Sequence, residues 1–123
     1  MFVTSIPQYI QGLTNAKVDL TTTNNTTLFT APSGADFNAA IVSSILVSED
    51  SGNADTITVT LTDTDNAVFS LFKVKAVAAN TTIELLTRDL ILQSGEILKV
   101  QAATANRLHV VASIQDLSKT RVT

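Results

Sequence analysis

The feature that most constrains the fold is a strict alternation of apolar and threonine side chains between Asp55 and Asp63, in the run Asp-Thr-Ile-Thr-Val-Thr-Leu-Thr-Asp. Successive side chains of a β-strand point to opposite faces. Ile57, Val59 and Leu61 therefore share one face, and four threonines share the other. Threonine is β-branched and suits a pleated surface in contact with water. The pattern predicts an antiparallel strand with one face in a core and one face in solvent.

Similar patterns recur along the chain. They predict further strands at 18–22, 26–30, 39–48, 67–77, 81–86, 97–102 and 107–116. Turn chemistry separates several of them, notably Pro32 to Gly34, Gly52-Asn53 and Ser94-Gly95. Seven or eight short strands at this spacing are typical of an antiparallel β-sandwich. We therefore expect an all-β protein, with jelly-roll and immunoglobulin-like topologies both open.

The ends of the chain differ from this pattern. In the first seventeen residues, Ile6, Tyr9, Ile10 and Leu13 have helix-like spacing, and Ser5 can cap a helix. We expect 1–17 to form an N-terminal arm or a short helix, 18–118 the β-sandwich domain, and 119–123 a flexible tail. The start lacks the basic and long apolar regions of a secretory signal. No stretch is apolar for long enough to predict a membrane helix.

Composition argues against several classes of function. The formal charge is -3, whereas a nucleic-acid partner requires a basic face to neutralise phosphates. The chain has no cysteine and a single histidine, His109, with no obvious nucleophile or orienting partner in the pattern. We expect His109 to occupy a surface or interface position. The sequence thus predicts a non-enzymatic protein without metal or cofactor.

Acidic residues that could suggest a catalytic or metal site have simpler interpretations. Asp63-Thr64-Asp65-Asn66 resembles the start of a calcium loop, but a strand pattern follows where that loop would continue, so we expect a turn. Glu49 and Asp50 with Asp55 are interpreted as hairpin-loop acids. Pairing Glu84 with Asp89 or Glu96 for glycoside hydrolysis would need a cleft lined with aromatic side chains, and aromatic residues make up only 5% of the chain.

Apolar residues on strand faces that are expected to contact solvent are more informative about function. Only 15% of the chain is charged, against about 25% in a typical domain. Apolar groups on a second strand face suggest contact with another chain. The candidate partner-binding residues are Phe2, Ile6, Tyr9 and Ile10 in the arm and Phe69, Leu71, Ile97 and Val111 in the sandwich.

Five segments resemble a known class of protein. Leu28 to Gly34 reads Leu-Phe-Thr-Ala-Pro-Ser-Gly, 41–47 reads Ile-Val-Ser-Ser-Ile-Leu-Val, and 82–86 reads Thr-Ile-Glu-Leu-Leu. Residues 90–102 contain Leu-Gln-Ser-Gly-Glu-Ile-Leu-Lys-Val, and 108–114 read Leu-His-Val-Val-Ala-Ser-Ile. This order, over residues 26 to 116, resembles small β-sandwich virion structural proteins of tailed bacteriophages of the capsid decoration or cement type.

The resemblance implies a non-enzymatic virion structural protein that stabilises the phage head by binding across capsomer joints. Its partners would be the major capsid protein or other virion proteins, and it would form a homo-oligomer, with a trimer favoured. It would be made in the host cytoplasm and reside in the virion. A phage tail or neck component remains an alternative. A β-sandwich adhesion or carbohydrate-binding module is another, and Tyr9 is its only aromatic candidate outside the phenylalanines.

Overall fold

The computed structural model describes residues 9–118, with side chains for residues 12–117 except Asn38. Within this range the chain forms nine β-strands and no helix. The strands are β1 (Tyr9–Asp19), β2 (Thr26–Thr30), β3 (Phe37–Glu49), β4 (Asp55–Thr62), β5 (Val68–Val77), β6 (Thr81–Glu84), β7 (Leu90–Leu92), β8 (Ile97–Ala102) and β9 (Leu108–Ser118). Between residues 9 and 118, no helix has the length and apolarity that crossing a membrane requires.

The strands form two antiparallel sheets. Sheet A has the order β1-β9-β3-β6, with β7 also paired to β3, and sheet B has the order β2-β8-β4-β5. Both β6 and β7 run along the same edge of β3, so they act as one interrupted strand. The strand pairs then nest in sequence order. The innermost pair is β4 with β5, and outside it follow β3 with β6 and β7, β2 with β8, and β1 with β9.

This nesting is the jelly-roll topology, in which eight strands form two packed sheets. An immunoglobulin-like sandwich pairs its first two strands within one sheet. Here β1 and β2 lie in opposite sheets. The expected all-β sandwich is confirmed, and of the two topologies left open by the sequence the chain adopts the jelly-roll.

Small aliphatic side chains fill the space between the sheets. Ile57 and Val59 of β4 are fully buried, as the alternation predicts, and they pack with residues such as Val47 and Val110 of sheet A. Burying a valine or isoleucine side chain stabilises a fold by about 1.5–3 kcal/mol relative to leaving it exposed. The threonines Thr56, Thr58 and Thr60 lie on the other face, half-buried among their neighbours.

The N-terminal boundary is a correction. Residues 9–17, expected in an arm or short helix, belong to β1, which pairs with β9 from Tyr9 opposite Ser118 to Asp19 opposite His109. Alternate side chains, including Ala16, turn toward the core. Pairing with β9 and this burial outweigh the local helix-like spacing. The sandwich therefore includes Tyr9 onward, while residues 1–8 and the expected tail 119–123 lie outside the described residues.

β-Bulges correct two expected assignments of strand faces. In β3 the register shifts between Val42 and Ser44, so Val42 joins Ile45 and Val47 in the core and Ile41 faces outward. Simple alternation places Ile41 with Ile45 and Val47 instead. An extra residue reverses the face of everything that follows it, because the side-chain period is two.

In β5 two register shifts relative to β4 have the same effect. Simple alternation places Val68, Phe72 and Val74 on the inward face and Leu71 on the outward face. In the structure Leu71 and Phe72 both pack against the core, whereas Val68 and Val74 are 63% and 59% exposed. Val74 has a φ of 52°, a rare conformation for a β-branched residue, and its N–H donates to Thr58 Oγ1 at 3.0 Å. The irregularity disrupts an edge strand that could otherwise pair with other sheets.

We predict that Leu98→Ala lowers the free energy of unfolding by about 2–5 kcal/mol, because it leaves a cavity between the sheets where Leu98 is fully buried. Val68→Ala removes an exposed side chain and serves as the matched control, with an expected change within about 0.5 kcal/mol. Denaturant unfolding of both variants measures the difference. Equal destabilisation by the two substitutions would contradict the assigned core.

Candidate interaction surfaces

The outward side of sheet A, which we name the outer A face, carries apolar side chains in register across the strands. One row consists of Leu13, Gln115, Ile41 and Ile91, and a second of Lys17, Val111, Leu46 and Glu84. Leu13 is 74% exposed, Ile91 60% and Leu46 40%. The face thus presents aliphatic groups at both of its edges and along its middle.

Small polar side chains between these rows bond to one another. Ser113 Oγ donates to Asn15 Oδ1 at 3.0 Å, and Ser43 Oγ donates to the Ser113 carbonyl at 3.2 Å. Polar groups that already have hydrogen-bond partners cost less to remove from water than unpaired ones. This part of the outer A face can therefore be covered by another surface without burying a charge.

Charged groups gather at one end of the same face. His109 Nε2 lies 3.3 Å from Asp19 Oδ1, and His109 Nδ1 lies 3.8 Å from Asp50 Oδ2. The two carboxylates approach different ring nitrogens, so they orient the imidazole and cannot hold one ion together with it. The His109 side chain is 45% exposed, on the outward side of β9.

A second surface lies where the two sheets separate beside β5. A groove of about 330 Å³ runs between β5 and the segment that joins β6 to β7. We name it the edge groove. Its lining residues are Leu71, Phe72, Leu85, Leu86, Thr87, Arg88, Asp89 and Leu90. Phe69, on the same strand as two of them, is 54% exposed.

Glu84, which precedes the first lining residues of the edge groove in the chain, joins β6 to β3. Its Oε2 accepts the N–H of Ile45 at 2.7 Å and the N–H of Leu86 at 3.1 Å, and its Oε1 accepts the Ser44 hydroxyl. Desolvation opposes ionisation of Glu84, but these hydrogen bonds outweigh it and hold the pKa below its ordinary value. Glu84 satisfies backbone groups where β6 ends, which is a structural role.

Glu49 plays a similar role in the loop between β3 and β4. The buried carboxylate accepts the Ser51 N–H at 2.9 Å, the Gly52 N–H at 3.1 Å, the Asn80 N–H at 3.0 Å and the Ser51 hydroxyl. Burial acts to raise its pKa, but the four donors prevail and lower the pKa of Glu49 to about 2. This carboxylate ties the β3–β4 loop to the turn before β6.

Two further acidic candidates, Asp55 and Asp63, also accept backbone N–H groups. Asp55 Oδ2 accepts the Thr104 N–H at 3.1 Å, and Asp63 Oδ1 accepts the N–H groups of Asp65 and Ala67, both at 2.9 Å. The segment from Asp63 is thus the expected turn. Over the described residues, no three histidine, aspartate or glutamate side chains group together as metal ligands would.

Asp116 is a feature that the sequence did not single out. It lies on the inward side of β9, beside Gly12 of β1 and the 32–37 segment, and its Oδ1 is buried without a hydrogen-bond partner in the described structure. Burial raises its pKa above the ordinary aspartate value. Only the pairing of β9 with β1 and β3 places this carboxylate there.

The predicted partner-binding residues do not share one surface. Val111 lies on the outer A face, and Leu71 lines the edge groove. Ile97, half-buried, pairs with Thr30 and Thr62 in sheet B. Tyr9 and Ile10 begin β1, with side chains beyond those described, and Phe2 and Ile6 lie outside the described residues.

The sequence pattern does not single out several apolar residues of these two surfaces. Exposed Leu13 falls in the expected arm, the alternation gives exposed Ile91 no face, and the partly buried Leu86 and Leu90 belong to the segment around the edge groove. Leu46 does carry a signal, because simple alternation places it on the face opposite Ile45, and it is 40% exposed. The interruption between β6 and β7 that opens the groove has no local signature beyond Thr87-Arg88-Asp89.

Comparison with known proteins gives structural likeness only. No protein-family model and no curated protein sequence matches the chain. A pentameric capsid protein isolated from metagenomic phage sequences is 19% identical with a TM-score of 0.47, over 86% of this chain and 61% of that chain. A chain in the structure of infectious bursal disease virus, Gx strain, is 10% identical with a TM-score of 0.37, over 89% of this chain and 32% of that chain. The chain thus spans less than two thirds of either protein.

We predict that acid unfolds the protein partly through Glu49. A carboxyl whose pKa falls from 4.5 unfolded to about 2 folded stabilises the fold above pH 4.5, and this contribution is lost as the pH falls toward 2. Glu49→Gln should lower the melting temperature at pH 7, with a difference from wild type that shrinks toward pH 2. Asp65→Asn, in an exposed turn, is the control. A Glu49→Gln deficit independent of pH would contradict the role of its charge.

Proposed function

We propose that the chain is a non-enzymatic structural subunit of a phage virion, acting as a capsid decoration or cement protein that binds across capsomer joints. The observation that carries the proposal is the outer A face, with its exposed aliphatic rows and hydrogen-bonded polar side chains. Exposed apolar groups grouped on one surface mark interaction sites. The jelly-roll topology supports it, since viral capsid domains use this fold, although lectins and cupins also do.

The size of the outer A face suits a stable contact. Four strands about 4.8 Å apart, with β9 spanning eleven residues at about 3.3 Å each, give a face of about 700 Å². A typical specific interface buries about 800 Å² on each partner. The whole outer A face, which includes Lys17, Glu84 and the charged end around His109, thus has a planar area close to one partner's share of a standard complex.

Binding of this kind stabilises a particle by mass action. A protein that binds only assembled capsomers shifts the equilibrium toward the assembled state. The partner in this proposal is the major capsid protein or another virion protein, and the site of action is the phage head, after synthesis in the host cytoplasm. A tail or neck position would use the same surfaces, and binding to purified heads and tails separates the two.

We predict that the purified chain co-sediments saturably with heads of the phage that encodes it, when those heads lack the protein. Leu13→Asp with Ile91→Asp puts two charges into one row of the outer A face and should weaken binding at least about tenfold, since each buried charge costs well over 1.4 kcal/mol. Thr27→Asp, exposed on β2 of sheet B, is the matched control and should bind normally.

Two outcomes would overturn the head proposal, and a third would overturn the role of the outer A face. One is the absence of binding to heads by a folded protein. A second is saturable binding to tails alone, which would favour the tail or neck alternative. The third is equal binding by the double variant and the control, which would remove the outer A face from the interaction.

The proposed oligomer is a trimer. Size-exclusion chromatography with light scattering should give three times the 13.0 kDa of the chain. A mass equal to one chain, or to five, at the concentrations used for head binding would contradict it.

A further inference from the structure

The edge groove is an apolar site that the outer A face does not explain. Its volume of about 330 Å³ would hold roughly ten water molecules. Leu85 at its base is buried, whereas Leu71, Phe72, Leu86 and Leu90 are only partly covered. Apolar surface in contact with water gains free energy when an apolar group replaces that water. Thr87, Arg88 and Asp89 make the polar rim.

The chain itself contains a segment that matches this groove. Residues 1–8 have no charged side chain, and the first one in the sequence is Lys17. They include the adjacent pair Phe2 and Val3 and, after the small polar residues Thr4 and Ser5, Ile6, and these side chains are large enough to fill an apolar groove. Building on the proposed function as an assembly subunit, we propose that the edge groove receives residues 1–8 of a neighbouring copy.

Geometry favours a neighbour over the chain's own segment. Tyr9 lies in β1, at the edge of sheet A opposite β7, three strand spacings or about 14 Å away. Tyr9 and Phe37 both pair with Ser118, so they lie at the same position along the strand direction. Leu90 pairs with Val42, which is about 16 Å from Phe37 along β3. Tyr9 and Leu90 are therefore about 22 Å apart. Ile6, three residues before Tyr9, reaches at most about 11 Å and cannot enter its own groove, and of the segment only Met1 and Phe2 could span the separation, in a fully extended chain of about 25 Å or more.

This exchange gives the proposed trimer a mechanism. Each copy donates a segment from one edge of sheet A and accepts a segment at the other edge. Contacts between two different patches are head-to-tail, and they form a closed ring when the rotation between neighbours closes. Three copies would then be tied by three equivalent contacts, with the outer A face left free for the capsid.

Disulfide trapping tests the exchange, because the chain has no cysteine of its own. Ile6→Cys and Thr87→Cys are made as separate variants, mixed in equal amounts and oxidised. We expect a disulfide-linked dimer of the two different chains on a non-reducing gel, with the crosslinked peptides that contain positions 6 and 87 identified by mass spectrometry. Thr27→Cys replaces Thr87→Cys in the control mixture and should give at least about tenfold less product.

A double variant, Ile6→Cys with Thr87→Cys, distinguishes the source of the segment. Exchange between copies predicts covalent dimers and trimers, whereas an intrachain bond in a monomer would overturn the proposal. Equal trapping at Thr27 and Thr87 would also overturn it. If trapping fails while the protein still binds heads through the outer A face, the inference is wrong and the proposed function stands.

A second variant keeps the test independent of cysteine chemistry. Phe2→Ser with Ile6→Ser removes two large apolar side chains of the segment and no residue of the described sandwich. It should raise the concentration at which the oligomer dissociates at least about tenfold, with an unchanged melting temperature of the separated chains. An oligomer that dissociates at the wild-type concentration would contradict the exchange.

Discussion

Packing of small aliphatic side chains between two sheets is the interaction on which the rest of the structure depends. Ile57 and Val59 from sheet B meet residues such as Val47 and Val110 from sheet A, all fully buried. Aromatic side chains contribute little, and Phe37 is the one aromatic among the buried core residues of the described chain. These small groups fill the interior, and apolar side chains such as Leu13 and Ile91 remain exposed on the outward side of sheet A.

Departures from regular pairing create the second surface. The bulges in β5 push Val74 into a left-handed conformation and turn Leu71 and Phe72 toward the core. Across from them, β6 stops at Glu84, whose carboxylate takes over the backbone donors of Ile45 and Leu86. The sheet edge is thereby held open without leaving those polar groups unpaired. The edge groove thus arises from the bulges in β5 and from the early end of β6, which the Glu84 carboxylate stabilises.

How far the sequence predicts this structure depends on whether a signal is local. The alternation around Ile57 is local, and it correctly predicted β4 and its buried face. The helix-like spacing around Tyr9 was misleading, because β1 exists through pairing with β9, about a hundred residues later. Bulges at Ser43 and within β5 reverse faces without a marker in the residues themselves. The outer A face was therefore only partly predicted, through Val111 and Leu46.

The edge groove combines a residue that the local sequence pattern predicted with residues that only long-range strand pairing brings together. Leu71 was expected at an interface from its position in the strand, and it does line the edge groove, although it also touches the core. Leu86 and Leu90 join it there only because β6 and β7 both pair with β3. Low charge and apolar residues on second faces suggested assembly, and the fold sorts them into the outer A face and the edge groove. The two surfaces are formed by different residues, so the proposed contacts with a capsid and with other copies of the chain do not compete for the same side chains.

A cryo-electron microscopy reconstruction of the encoding phage would test the virion assignment most directly. The proposal predicts jelly-roll density over the joints between capsomers, with sheet A against the capsid and connecting density between neighbouring copies. Heads from phage lacking the gene should show those positions empty. Identical head maps from phage with and without the gene would contradict the assignment.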